Sequence, residues 1–378
     1  MKKILICGLA LLVLGTALFA DDAKVMPARV GRIYFAPTFG FANGAFDKDG
    51  DYEEFDTDNG SMKFFNMGFA LEYGIIEWIT AALQWAPGWN AWSKIEMGAP
   101  VDTNLNGVAD LFLGAKLQII GGQAPVQNDL VRLALAPGVK IPLPGPDYEE
   151  EAINMGKGDP VTVANIDKHV LGIGGRFYFD YVISDSFFIN LYSEFIGYPV
   201  KGDLEKNGFT GYMAAGMAEY GLQASTAAMS GGLYTAGSIK AIDEIKTNYG
   251  YDLTFELEPV FSTSLAQTTT LTAGLPFNFK LNPAQKNEVT LTKDFAGLLN
   301  GFMPGAADMA VETTEDSLKQ AFGEDPSYTF TVKPNVSVFF MGWALPTEFK
   351  LQYSIPVAGK LNQALHAITL QAKLYFKI

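Results

Sequence analysis

The sequence predicts an all-β protein, a transmembrane antiparallel up-and-down β-barrel of 12–14 strands whose long outer loops carry some helix. Three observations indicate this fold class: alternating polarity, an export signal, and the order of short and long connections. The clearest strand is the last, because residues 368–378 alternate strictly between apolar and polar side chains. Successive side chains of a strand point to opposite faces, and about 9–11 residues let a tilted strand cross a bilayer.

The same alternation recurs in earlier segments, and their charged residues fall on the polar face. In a soluble sandwich the apolar face would form the core, whereas in a membrane barrel it meets lipid and the polar face lines the lumen. The export signal and the strand lengths favour the membrane barrel. With the last strand the count is twelve, the earlier segments being 29–41, 65–73, 78–89, 108–120, 131–141, 171–181, 187–195, 253–261, 271–281, 330–340 and 349–355.

The first twenty residues are typical of a secretory signal peptide. Lys2 and Lys3 precede an apolar run over residues 4–19, which ends in small residues. We place cleavage after Ala20, with Ala17 as the alternative site and an uncleaved membrane anchor as the alternative interpretation. The sequence thus divides into a signal peptide, 1–20, and a single barrel domain, 21–378. The only cysteine, Cys7, lies in the signal peptide, so the mature chain has no disulfide.

The composition agrees with an exported barrel. The chain is 48% hydrophobic and rich in aromatic residues, yet beyond the signal peptide no uncharged apolar stretch reaches about 18 residues. Helical membrane spans are therefore excluded. The net charge of −14 becomes more negative when Lys2 and Lys3 are removed, which argues against nucleic acid as a partner.

Connection lengths provide an independent test of the barrel. Bacterial outer-membrane barrels have short periplasmic turns and longer outer loops. In this sequence short and long connections alternate, which places both termini in the periplasm. The short connections are 74–77, 121–129, 184–185, 262–264 and 342–346, and the long ones are 42–62, 86–107, 143–168, 198–249, 282–327 and 357–363.

Two long connections contain segments of unusual composition. Residues 208–238 are small, apolar and nearly uncharged, and residues 294–323 show helical spacing. One interpretation is loop packing over the barrel mouth, or two extra strands. The other is a plug or an apolar landing surface for a hydrophobic ligand. The apolar stripe of the second segment consists of Phe295, Leu298, Leu299, Phe302 and Met303.

Calcium and catalysis have little support in the sequence. Asp102, Asn104 and Asn106 fit the first positions of a calcium loop, with Asp110 at the ninth, but Leu113 stands where the final glutamate belongs. An Asx-rich turn is the alternative. The acidic run 47–58 has its glycine misplaced, which favours a solvated loop. There are two histidines and no hydrolase or metalloprotease motif, so we expect no enzyme and no cofactor apart from that weak Ca²⁺ candidate.

A family resemblance appears in two strands. Residues 107–111 (GVADL) with 114–116 (GAK), and residues 138–145 (GVKIPLPG), resemble outer-membrane transporters of hydrophobic compounds, the long-chain fatty-acid transporters and their aromatic-degradation relatives. The resemblance implies a fourteen-stranded barrel, a plug, outer-loop helices that capture the ligand, and lateral release through the wall. The sequence departs from it in three ways. It shows twelve strands, only about eight residues precede the first strand after cleavage, and it ends on Ile378 rather than on an aromatic residue.

The function predicted is passive transfer of a hydrophobic small molecule, such as a long-chain fatty acid, across the cell outer membrane. The apolar stripe captures the ligand, and lumen cations meet its carboxylate. Ordinary ion pairing within the lumen is the alternative role for those cations, which are Arg132, Lys140 and Arg176, with Asp110, Asp180 and Glu194 as partners. A general diffusion porin and a surface adhesin or structural barrel are the alternative functions. Expected partners are outer-membrane lipids and, during insertion, periplasmic chaperones and the barrel-assembly machinery.

Overall fold

The computed structural model describes residues 22–55, 61–96, 103–143, 167–204, 208–230, 240–302, 307–322 and 325–377. The predicted signal peptide, Asp102, Met303 and residues 231–238 lie outside these ranges. In the described part of the chain, no helix has the length and apolar character needed to cross a membrane.

The described chain contains twenty-one strands and three helices. The strands are β1 (Val30–Ala42), β2 (Gly44–Phe46), β3 (Tyr52–Glu54), β4 (Ser61–Ile76), β5 (Ile79–Glu96), β6 (Thr103–Val108), β7 (Leu111–Ile120), β8 (Val131–Ile141), β9 (Gly172–Ser184), β10 (Phe187–Gly197), β11 (Gly202–Asp203), β12 (Ile242–Asn248), β13 (Tyr251–Ala266), β14 (Thr269–Gly274), β15 (Phe277–Asn282), β16 (Lys286–Leu291), β17 (Ser327–Val332), β18 (Asn335–Phe340), β19 (Thr347–Lys360), β20 (Asn362–Gln363) and β21 (His366–Lys377). The helices are α1 (Gly208–Met229), α2 (Lys293–Phe302) and α3 (Ala307–Phe322).

Twelve antiparallel barrel strands close on themselves, as the sequence predicts. β14 with β15, and β17 with β18, each form one interrupted barrel strand, so the circuit runs β1, β4, β5, β7, β8, β9, β10, β13, β14–β15, β17–β18, β19 and β21. The circuit closes where the last strand pairs with the first, from Val30 opposite Lys377 to Phe41 opposite His366. The fourteen strands implied by the family resemblance are not formed.

The pattern of burial is the reverse of that in a soluble protein. Apolar side chains on the outer face are exposed, for example Leu113 at 47% and Leu370 at 50%. Polar and charged side chains of the inner face are buried, for example Thr254 at 1% and Glu256 at 3%. Because an apolar exterior around a polar interior is stable in lipid and not in water, the burial pattern independently identifies a membrane barrel.

Short and long connections alternate around the barrel as predicted, except at the last one, which is shorter than the turns 121–130 and 341–346 of the opposite end. The barrel therefore has a short-turn end, which carries turns such as 77–78 and 185–186, and a long-loop end, which carries the insertions. The final long connection is shorter than the sequence suggests, because β19 extends to Lys360 and leaves residues 361–365. At this rim His366 stacks on Phe41 and on Tyr353, whose hydroxyl lies 2.9 Å from His366 Nδ1.

Prolines mark the interruptions of the barrel strands. Pro276 separates β14 from β15, and Pro334 separates β17 from β18. Proline has no N–H to donate to the ladder, so a strand bulges or breaks there. The proline carbonyls still accept hydrogen bonds from neighbouring strands: Pro276 O accepts from Lys333 N–H at 2.9 Å, and Pro334 O accepts from Tyr353 N–H at 3.0 Å.

The two long insertions form one outer subdomain, outside the barrel sheet. β11, β12 and β16 make a separate three-stranded sheet, which packs with the helices around a buried cluster that includes Ile245, Val289 and Phe295. The predicted helical spacing of residues 294–323 is confirmed by α2 and α3. α2 begins after Thr292, whose hydroxyl accepts the Phe295 N–H at 3.2 Å and caps the helix. The strands in these connections join this sheet and add nothing to the barrel.

Gly88 offers a test of the fold at a bulge in β5, where the register with β4 shifts. Its φ is +85°, and a Cβ there would lie 2.1 Å from the Met67 carbonyl oxygen. We expect Gly88→Ala to destabilise the barrel by about 1–3 kcal/mol, measured as a lower temperature at which the heat-modifiable band of the folded protein disappears on gels. Gly122→Ala is the matched control, because a Cβ there meets nothing within 4 Å. Equal melting of both variants would contradict the described backbone.

Candidate functional site

The centre of the lumen is crossed by a chain of paired polar groups. Arg32 Nη2 donates to Glu72 Oε2 at 2.6 Å, and the Gln84 amide donates to the other Glu72 oxygen at 3.2 Å. Arg176 in turn donates to the Gln84 carbonyl and, at 2.5 Å, to Glu194. Gln84 lies on β5 and Arg176 on β9, and two strands separate these in the wall. The contact between them therefore spans the lumen.

The short-turn end of the lumen is closed by the N-terminal segment, residues 22–28. The Ala23 N–H donates to both carboxylate oxygens of Asp180, at 2.9 and 3.0 Å, and the Ala23 carbonyl accepts from Gln118 at 3.0 Å. Lys116 donates to the Asp22 carbonyl, and the Met26 N–H donates to Thr80 at 2.8 Å. Ala23 is fully buried. The segment thus forms a short floor at this end of the lumen.

The long-loop end of the lumen is narrowed by residues 167–170, which turn inward from the third long loop. Lys168 is buried, forms an ion pair with Asp252 and lies 4.4 Å over the Tyr198 ring. Asp167 pairs with Lys140 at 2.6 Å. Burial raises the pKa of Asp167, but the charge and hydrogen bond of Lys140, together with those of Lys168, outweigh burial and hold that pKa below its usual value.

The opposite wall carries a second set of paired groups. Glu256 accepts from Asn278 at 2.9 Å and lies 3.3 Å from Lys333 Nζ. Glu258 accepts from Asn335 at 2.9 Å and from Asn190 at 3.3 Å. An unpaired charge is costly in a poorly hydrated interior, so such pairing is the condition for burying these groups.

The three predicted lumen cations all form ion pairs. Arg132 lies 3.4 Å from Asp180, and Arg176 pairs with Glu194, as the pairing alternative expects. Lys140 pairs with Asp167 rather than Asp110, although Asp110 and Asp252 also contribute to the field at Lys140. Their contact with a ligand carboxylate stays a prediction.

The predicted capture stripe is divided by the fold. Phe295 and Leu299 are buried in the core of the outer subdomain, whereas Leu298 and Phe302 are half-buried on α2. Met303 lies outside the described residues. The capture role of the stripe stays a prediction, and only Leu298 and Phe302 are placed to meet a ligand without opening that core.

The candidate calcium segment adopts extended backbone over Asn104 and Asn106. Both belong to β6, where Asn104 pairs with Lys94, and Asp110 is buried just beyond its end. Within the described ranges, no group of three or more His, Cys, Asp or Glu side chains is arranged to hold a metal ion. Asp102 is not described, and the calcium site stays a prediction.

The barrel wall has a local gap between β5 and β7. Their ladder ends at Gln84 opposite Phe112, and pairing resumes on β6 at Trp89 opposite Val108. Across the gap the Ala109 N–H donates to the Gly88 carbonyl at 2.8 Å, and the Trp85 indole donates to the Ala109 carbonyl at 2.8 Å. These two bonds join β5 to Ala109 across the gap.

Sequence reasoning missed Phe112 and the floor formed by residues 22–28. Phe112 is an apolar residue on the polar parity of β7, since it shares the inner face with Lys116 and Gln118. A large aromatic side chain on the polar face of a strand is the signal by which the sequence could have indicated Phe112. The floor had no comparable signal, because its hydrogen bonds use backbone groups that any residue provides.

The chain resembles known proteins in its structure and not in its sequence. No family model matches the sequence, and a search of curated proteins finds no match. Among solved structures, the crystal structure of the COG4313 outer membrane channel from Pseudomonas putida F1 gives a TM-score of 0.57, with 10% sequence identity over 95% of this chain and 100% of that one. The chain has the fold of an outer-membrane channel. The resemblance drawn from the sequence is thereby confirmed at the level of the fold.

Two further structures are more distant. A Pseudomonas aeruginosa FadL homologue has a TM-score of 0.37 and 8% identity, covering 93% of this chain and 91% of its own. The P. putida toluene transporter TodX has a TM-score of 0.39 and 7% identity, covering 96% and 94%. Such low identities and scores add nothing to the fold shown by the first structure.

The floor is tested by cysteine labelling. In a chain expressed without the predicted signal peptide and its Cys7, Ala23→Cys should react slowly with a water-soluble maleimide, because Ala23 is buried and held by Asp180. Adding Asp180→Ala removes that acceptor, and we expect the labelling rate to rise at least about 10-fold, since one lost charged hydrogen bond contributes about 1.5–3 kcal/mol. Gln127→Cys, in an exposed short turn, should label quickly in both backgrounds. Fast labelling of Ala23→Cys alone would show that the segment is not a floor.

Proposed function

We propose that this barrel passively transfers hydrophobic small molecules, with long-chain fatty acids as the ligands, across the outer membrane. The observation that carries the proposal is the closed lumen. In order along β9, the floor held by Asp180, the Arg176–Glu194 pair and residues 167–170 each obstruct it. A general diffusion porin requires a water-filled channel, whereas the described residues of this twelve-stranded barrel obstruct its lumen. A closed lumen below a partly apolar outer subdomain instead suits a ligand that enters by contact with apolar surface.

Capture begins on the outer subdomain. α1 carries a single charged residue, Glu219, and its carboxylate is occupied by the Ala241 and Ile242 N–H groups at 2.6 and 2.7 Å. The exposed side of α1 is therefore uncharged. With Leu298 and Phe302 on α2 it offers apolar contact area, and each buried CH₂ of a fatty acid contributes roughly 0.8 kcal/mol of binding.

Release takes place laterally, at the gap between β5 and β7. Direct passage to the short-turn end would require the ligand to break the Arg176–Glu194 pair and then displace the floor at Ala23. On β5 the gap lies closer to the long-loop end than both obstacles. The hydrogen bonds of Ala109 to Gly88 and Trp85 bridge it. Lateral release, which the family resemblance implies, is supported here by the positions of Pro87 and Gly88 at the bulge of β5 beside this gap.

Lipid extraction and mass spectrometry of protein purified in mild detergent test the ligand. A fatty acid present at a stoichiometric level supports the proposal. Its absence, with no protein-dependent uptake of labelled fatty acid into liposomes, would overturn the transport function and favour the surface-binding alternative.

Matched variants test the capture surface. We expect Leu298→Ser with Phe302→Ser to lower fatty-acid uptake about 3- to 10-fold, because apolar contact worth about 1 kcal/mol or more is lost. Thr313→Ser, an exposed position on α3, should leave uptake unchanged. Unchanged uptake in the double variant, with the barrel folded by heat modifiability, would remove α2 from the pathway.

A further inference from the structure

Two lysines stand directly opposite each other on the outer face of the barrel, at its long-loop end. Lys63 of β4 pairs with Lys94 of β5. The same register places Phe65 opposite Trp92 one outward step nearer the middle of the wall, and Trp92 is exposed. Lys63 is exposed as well, whereas its neighbour Phe64 is buried on the lumen side. The lysine pair therefore faces the surroundings of the barrel and not its lumen.

A row of aromatic side chains lies next to the lysine pair, on the side nearer the middle of the wall. Phe39 of β1 pairs with Phe65 of β4, and Phe65 pairs with Trp92 of β5, so the row crosses three neighbouring strands. Phe39 and Trp92 are exposed, as is Trp89 of β5. Aromatic girdles mark the levels at which a membrane barrel leaves the hydrocarbon. Because successive outward positions are about 7 Å apart along a strand, the lysines lie at the level of lipid headgroups.

Positively charged residues at outward positions are confined to this end of the barrel. In the barrel strands that the structure describes, they are Lys63, Lys94 and Lys360, the last being opposite Tyr328 where β19 ends. Glu96 takes the next outward position of β5 beyond Lys94, and it is the one acidic residue at an outward position of these strands. The long-loop rim thus presents positive charge at headgroup level and an acidic residue only beyond it.

We propose that Lys63 and Lys94 together bind the phosphate of an anionic lipid headgroup, whose acyl chains lie against the aromatic row. Two ammonium groups directly opposite on one face repel each other, and a shared phosphate replaces that repulsion by attraction to both. Cβ atoms of directly opposite residues lie about 4.5–5.5 Å apart, so both flexible side chains reach one phosphate. The aromatic row selects a lipid over free phosphate, which has no chains to contact it. The inference depends on the barrel in its membrane and is independent of the transported ligand.

The test uses the full chain without its predicted signal peptide, in mild detergent, titrated with dioleoyl phosphatidylglycerol and followed by native mass spectrometry. Dioleoyl phosphatidylcholine, which has the same acyl chains and no net charge, is the comparison lipid. We expect phosphatidylglycerol to bind at least about 5-fold more tightly, since each lysine near a charged membrane surface contributes about that factor. Lys63→Gln with Lys94→Gln should remove the preference and leave the two lipids with equal affinity.

Matched variants separate this site from a general effect of charge. Lys63→Arg with Lys94→Arg should keep the preference, and so should Lys48→Gln with Lys201→Gln, which removes the same charge from exposed loop positions. Heat modifiability on gels shows that each variant is folded. The site is overturned if the parent protein shows no preference, if the first glutamine variant keeps it, or if the arginine or loop variant loses it. Displacement of the lipid by millimolar inorganic phosphate also overturns it, because the ligand would then be a free anion.

Discussion

Every backbone N–H and C=O that lies in the bilayer must find a partner within the protein, and this constraint determines the rest of the structure. A sheet meets it only by closing, which makes the pairing of β1 with β21 indispensable. One register holds along this pair of strands, from Val30 opposite Lys377 to Phe41 opposite His366. The last strand has to be regular for this reason, and its regularity is what makes the C-terminal sequence so distinctive.

Closure also fixes what the interior can contain. A twelve-stranded barrel is narrow, and its polar inner side chains meet across the lumen instead of lining a wide channel. Buried charges then need an opposite charge or hydrogen-bond partners, because an uncompensated charge in such an interior costs several kcal/mol. Arg32 with Glu72, and Lys333 with Glu256, show this on opposite walls. The same pairs that make the polar lumen stable also obstruct it, and the proposed ligand route therefore uses an apolar surface and a local exit.

The sequence predicts the barrel well because strand periodicity is local. The inner or outer face of each strand follows from alternation, and two of the ion pairs follow from register, since Arg132 lies opposite Asp180 and Arg176 lies opposite Glu194. The ion-pair partner of Lys140 does not follow from register. That partner, Asp167, lies in a loop, where side chains do not alternate regularly. α1 was not recognised as a helix, because its many glycines and alanines give almost no polarity pattern. The surroundings of Phe112 required knowledge of other strands, because Gly138 of β8 and Arg176 of β9 contact its ring.

Steady ion conductance of the purified barrel in planar bilayers, without added ligand, tests most directly whether the lumen is closed. Paired charges at the centre, with the floor at Ala23, predict little or no steady conductance, in contrast to an open diffusion porin. A large and stable conductance in the absence of ligand would contradict the closed lumen and leave a general porin as the function of this fold.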